Sequence, residues 1–156
     1  MNYEVVELAE KTVIGIKAIT SNQDPKMSEI IGGLWKSFYE DAYSKISGAI
    51  NKKAIGLYCD YGTPNKDDYT VMVCTEVDSD GAKKSLSQSK DLTVKKIPSG
   101  RYAKFTVKGN VSTATAECWN EIWAAPLERT FTGDFEEYQE DCDGVQGTII
   151  IYIAIK

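Results

Sequence analysis

A chain of 156 residues, 42% hydrophobic and 26% charged, fits one globular domain with enough length to bury a core unaided. Its formal net charge of −5 argues against direct nucleic-acid binding, which draws on clustered Lys and Arg. Histidine is absent, which excludes Ser-His-Asp and Cys-His nucleophiles and leaves acid–base work to Asp, Glu, Tyr, Lys or Cys.

Val5 to Thr20 is rich in β-branched residues and reads as a strand pair or one long bent strand. Asp24 is suited to cap a helix and Pro25 to begin it. Met27, Ile30, Ile31, Leu34, Trp35, Phe38, Tyr39 and Ala42 then recur at helical spacing, predicting an amphipathic helix that stops near Gly48. Gly32 and Gly33 lie inside it and suggest close approach of a backbone or ligand. Ala54–Tyr61 and Asp68–Val77 read as a hairpin around the turn residues Gly62 to Asn65. The polar stretch 79–91 reads as a connector.

The second half repeats the order. Leu92–Ile97 and Arg101–Val107 read as strands either side of Pro98-Ser99-Gly100. Ser112 or Thr113 is expected to cap a helix with the stripe Thr115, Cys118, Trp119, Ile122 and Trp123, ended by Pro126. Phe131–Glu140 and Thr148–Ile155 form the last hairpin. The fold class expected is α+β, a duplicated β-α-β-β unit with pseudo-twofold symmetry. Its halves are 1–78 and 92–156 of a single domain, 1–156. Joined edge to edge, the halves give one antiparallel sheet with two helices on one face and a groove between them. Trp35-x-x-x-Tyr39 echoes Trp119-x-x-x-Trp123, and Tyr58-x-x-Tyr61 echoes Phe135-x-x-Tyr138.

The helix stripes place Trp35, Tyr39, Trp119 and Trp123 toward that groove. Such residues usually form core, but Trp and Tyr carry polar tips that a purely apolar core does not call for. In Phe135-Glu136-Glu137-Tyr138, alternation puts Glu136 and Tyr138 on one strand face, Phe135 and Glu137 on the other. If Glu136 faces the helices, a carboxylate points into an aromatic groove, which suits a cationic ligand. If Phe135 does, Glu136 is solvated. Alternation alone leaves both registers open.

Cys59, Cys74, Cys118 and Cys142 form no Cys-x-x-Cys pair and read as reduced thiols, with no structural zinc. Glu140, Asp141 and Asp143 lack calcium-loop spacing, and no phosphate-binding glycine motif is present. No cofactor is expected. The N-terminus lacks a signal-peptide pattern and no apolar run spans a bilayer, so a cytoplasmic protein without membrane attachment is expected.

The segment Ile97 to Gly109, with Gly56-Leu57-Tyr58-x-x-Tyr61, Asp68 to Val71 and Asp134 to Tyr138, resembles the GyrI-like, or AraC effector-binding, domain family over nearly the whole chain. The resemblance implies a lipophilic, often cationic, ligand between the halves. It also implies that Glu136 is the acidic pocket residue; the reading of the residues themselves expects Tyr138, Trp35, Tyr39, Tyr61, Trp119 and Trp123 around it. Many members carry a DNA-reading helix-turn-helix; no such segment precedes Tyr3, so the chain is similar to stand-alone members. Some of those are implied to inhibit gyrase and others to hydrolyse cyclopropane-containing compounds. If this chain is an enzyme, the expected base is Glu136 and the expected donor Tyr138 or Tyr61. The apolar run ending the chain lacks the proline usual after it. Exposed strand edges would permit a homodimer or a protein partner.

Overall fold

The computed structural model describes residues 2–156. The elements are β1 (Glu4–Leu8), β2 (Lys11–Ser21), α1 (Met27–Glu40), β3 (Ala54–Cys59), β4 (Asp68–Glu76), α2 (Ser79–Gln88), β5 (Thr93–Ile97), β6 (Gly100–Asn110), α3 (Val111–Ala124), β7 (Asp134–Tyr138) and β8 (Gln146–Ala154). All eight strands join one antiparallel sheet in the order β1-β6-β8-β7-β3-β4-β2-β5. Exchanging β1 with β5, β2 with β6, β3 with β7 and β4 with β8 merely reverses that order. The pseudo-twofold therefore runs between β3 and β7. Each half also gives its first strand to the other: β1 pairs with β6, and β5 with β2.

This exchange forces the sheet to curl. Leu8 is paired to Gly100 at one end of the sheet, and Lys11 to Ile97 at the other. Only Ala9 and Glu10 lie between, a link of roughly 10 Å. The two sheet ends must therefore meet. The helix-free face accordingly closes on its own core, where Val13, Leu57, Met72, Ile97, Tyr102, Phe135 and Tyr152 pack together. The other face is covered in two places. Phe38 of α1 packs on Ile14, Ala54 and Val73, while Cys118 and Ile122 of α3 pack on Phe105, Ile149 and Ile151.

Five local readings change. The first helix is shorter than its apolar stripe implies, ending at Glu40 before a separate 3-10 turn at Ala42–Lys45. Asp24 folds a turn ahead of α1: its Oδ1 accepts from Lys26 N at 2.8 Å and its carbonyl from Met27 N at 3.1 Å. For α3 the cap is Asn110, whose side chain accepts from Thr113 N. No close approach is made at Gly32 or Gly33, where an added Cβ would meet open space. The close glycine approach lies elsewhere, where Gly81 of α2 abuts Ser47 and Gly48. The polar connector thus holds a helix, capped by Asp78, whose Oδ1 accepts from Gly81 N at 2.6 Å.

Candidate functional site

The β3–β7 pairing fixes the centre of the site. Gly56 stands opposite Glu136, Tyr58 opposite Asp134, and Ala54 opposite Tyr138. Under the pseudo-twofold, Gly56 is therefore the counterpart of Glu136, and Tyr58 that of Tyr138. The sequence echo of Tyr58 with Phe135 is corrected by this register. Aromatic spacing carried across a turn does not report which residues share a pleat; backbone pairing does. The helix echo holds position by position, since Trp35 and Trp119 are each the ninth residue of their helix.

Asp134, Glu136 and Tyr138 face the helices, and Phe135 joins the core on the opposite face. Glu136 is 3% exposed. Its Oε2 accepts from Trp119 Nε1 at 2.6 Å and its Oε1 from the Tyr138 hydroxyl at 3.1 Å. Burial raises the Glu136 pKa, while hydrogen bonds from Trp119, Tyr138 and Tyr58 pull it back. Tyr58 in turn is held well above the usual phenol value, first by burial and then by the Glu136 charge. No Lys or Arg pairs with Glu136 among the described residues.

Two cavities are counterparts in the pseudo-twofold; Glu136 lines neither, but each is lined by one of its hydrogen-bond donors. One, of about 510 Å³, lies between Met27 and Ile31 of α1 and Trp119 and Trp123 of α3, over Tyr58, Tyr61 and Tyr69. The other, of about 620 Å³, lies between Trp35 and Tyr39 of α1 and Val111 of α3, beside Tyr138 and Cys142. The predicted residues are thus divided. Tyr61, Trp119 and Trp123 line the first cavity, Trp35, Tyr39 and Tyr138 the second. Glu136 sits at the partition, bonded to one wall of each. Trp35 stacks near Tyr39 and meets Tyr138 edge-on at 4.8 Å.

Sequence reasoning passed over a second buried acid. Asp134 is fully buried and accepts from Arg129 Nη2 and the Tyr61 hydroxyl, both at 2.6 Å, and from Ala154 N at 2.8 Å. Alternation already put Asp134 on the face of Glu136, which was the available signal. Tyr58 and Tyr69 entered only within the hairpin that carries the family resemblance, with no site role, and Arg129 carried no pattern at all. Among the described residues there is no cluster able to hold a metal ion, and no helix long and apolar enough to cross a membrane.

An antiparallel α+β sheet carrying helices is the architecture of GyrI-like effector-binding domains. Residues 4–155 match the model of the integron-associated effector-binding proteins, Cass2, and the chain belongs to that family. It is 31% identical over 162 residues to the candidate transcriptional regulator YobU of Bacillus subtilis, covering 97% of this chain and 96% of YobU. A Vibrio cholerae integron cassette protein superposes with a TM-score of 0.79 at 28% identity, over 99% of this chain and 95% of that one. SAV2435, solved bound to tetraphenylphosphonium, has the same fold, with a TM-score of 0.78 at 19% identity over 100% and 94% of the two chains. The protein is a small-molecule-binding member of an effector-binding family.

Proposed function

We propose that the chain binds a lipophilic aromatic cation in the groove between α1 and α3, as a sensor or sequestering protein. Glu136 supplies the countercharge, and Trp35, Tyr39, Tyr61, Trp119, Trp123 and Tyr138 supply the walls. The carrying observation is a carboxylate 3% exposed, held by aromatic donors and lacking a cationic partner among the described residues. An ionised group in that setting is costly, and a ligand cation over aromatic faces offsets the cost. The phosphonium bound by SAV2435, a protein of the same fold, has this chemistry. Binding is favoured over hydrolysis because both Glu136 oxygens are already engaged and screened from water, whereas a general base needs a water within reach.

The test is a tetraphenylphosphonium titration followed by tryptophan fluorescence. Saturable quenching is expected, weakened by about tenfold or more in Glu136→Gln. Absence of binding, or an unchanged affinity in that variant, overturns the reading.

A further inference from the structure

One side of the cavity of about 510 Å³ is walled by Trp119, with Glu136 bonded behind the indole and outside the lining, and the lining also includes Lys66, Asp67, Asp68 and Arg129. From Trp119, the donor to Glu136, ring contacts run to Tyr58 at 5.5 Å, on to Tyr69 at 5.9 Å, to Tyr61 at 6.1 Å and to Phe131 at 5.6 Å. All five rings line this cavity. At the Phe131 end stands Arg129, also in its lining, with its guanidinium carbon 4.3 Å from the Phe131 ring centroid. Phe131 holds a left-handed backbone, φ 56°, uncommon for a bulky residue, and the residue remains 52% exposed beside the cavity.

Arg129 is incompletely used. Its Nη2 donates to Asp134, whose other contacts are Tyr61 and the backbone of Ala154. Its Nε is buried with no hydrogen-bond partner among the described residues. Guanidinium has five N–H donors in a planar fork, so one carboxylate bond leaves donors for a second acceptor. A fork stacked on an exposed ring, at the end of an aromatic floor, is placed to take that acceptor from a ligand.

We infer that Arg129 is a specificity-determining ligand residue, and that the preferred ligand is an elongated aromatic zwitterion. Its cationic end lies toward Glu136 and its carboxylate meets Arg129. This rests on the cation-binding reading above and adds the second, anionic end. It also separates the two cavities in kind, because the lining of the Tyr138 cavity includes no Arg or Lys.

The experiment compares two dyes with one cationic xanthene core: rhodamine 19, with a free carboxylate, and its ethyl ester, rhodamine 6G. Removing Arg129 alone would strand buried Asp134. The variants are therefore Arg129→Lys, which keeps the charge and loses the fork, and the double variant Arg129→Met with Asp134→Asn, which removes both charges. Wild type is expected to favour the acid over the ester, and that preference to fall by about tenfold in both variants. A wild-type preference for the ester, or an acid-to-ester ratio unchanged in both variants while the dyes still bind, overturns the assignment of Arg129 alone. Failure of both dyes to bind wild type overturns the cation-binding reading with it.

Discussion

The indole N–H of Trp119, on α3, donates to Oε2 of Glu136, on β7, at 2.6 Å. This bond ties a helix to the strand at the pseudo-twofold axis and satisfies half of a buried carboxylate. Its counterpart in the other half cannot exist, because Gly56 stands where a second acid would be. Trp35 consequently lies with Cζ2 only 3.3 Å from where a Gly56 Cβ would be, packing where Trp119 bonds. Trp119→Phe keeps most of the ring and removes the donor. Losing a charge-assisted bond to a buried group is expected to cost about 2 kcal/mol, read as a lower urea midpoint at unchanged slope. A change under roughly 0.5 kcal/mol would mean that packing alone seats Trp119.

Glu136 makes the stability of the free protein depend on pH in a defined direction. Its folded pKa is raised by burial above the ordinary value of 4.5. Below 4.5 the group is protonated in both folded and unfolded chains and costs nothing. As pH rises, the unfolded chain ionises first, and stability is lost until pH passes the folded value. Glu136→Gln removes this loss. The variant is expected to gain on wild type as pH is raised from 4 toward 8, in paired urea titrations. Parallel curves across that range would show that the carboxyl ionises freely in the fold.

How far the sequence displayed this arrangement depends on the kind of signal. The aromatic stripes of α1 and α3 were legible because helical periodicity is local. Trp35 and Trp119 could be matched without knowing any contact. The facing of Glu136 was not legible from alternation, since Phe135 and Glu136 are both buried, one on each face of a sheet that is covered on both sides. Sheet curling, which buries Phe135 against Tyr102 and Tyr152, depends on the strand exchange between halves, and that has no local signature. Helix α2 was hidden for a different reason. Its buried side is Gly81, Ala82 and Ser85, and it docks by close backbone approach and by the Ser85 hydroxyl, which accepts from Ser47 N at 2.8 Å. An apolar stripe is not what holds it. Asp134 was missed because its partners, Arg129, Tyr61 and Ala154, come from three separate segments.

Gly56 is expected to be intolerant of even one added carbon. An alanine Cβ there would lie 3.1 Å from Glu136 Oε1 and 3.3 Å from Trp35 Cζ2. The carboxylate is pinned by Trp119 and Tyr138, and Trp35 is packed against Tyr138, so neither yields freely. Gly56→Ala should cost about 1–3 kcal/mol of stability and weaken tetraphenylphosphonium binding. Circular dichroism on urea unfolding reads the first effect and fluorescence titration the second. Full retention of both would mean that the Glu136 side chain has room to swing aside.

Asp134 carries more of the fold than of the chemistry. It joins the loop of Arg129 and the turn of Tyr61 to the end of β8 through three hydrogen bonds, with no exposure to water. Asp134→Ala leaves Arg129, with only 15% of its side chain exposed, without its partner. The expected loss is about 3–5 kcal/mol. Tyr61→Phe breaks one bond and leaves the Arg129 pair intact, so its expected cost is nearer 1 kcal/mol. Because both substitutions act through the same Oδ2 atom, the double variant should lose less than the sum of the two. Urea unfolding of the two single variants and the double variant closes this cycle; strict additivity would mean that Tyr61 does not bond Asp134 in solution.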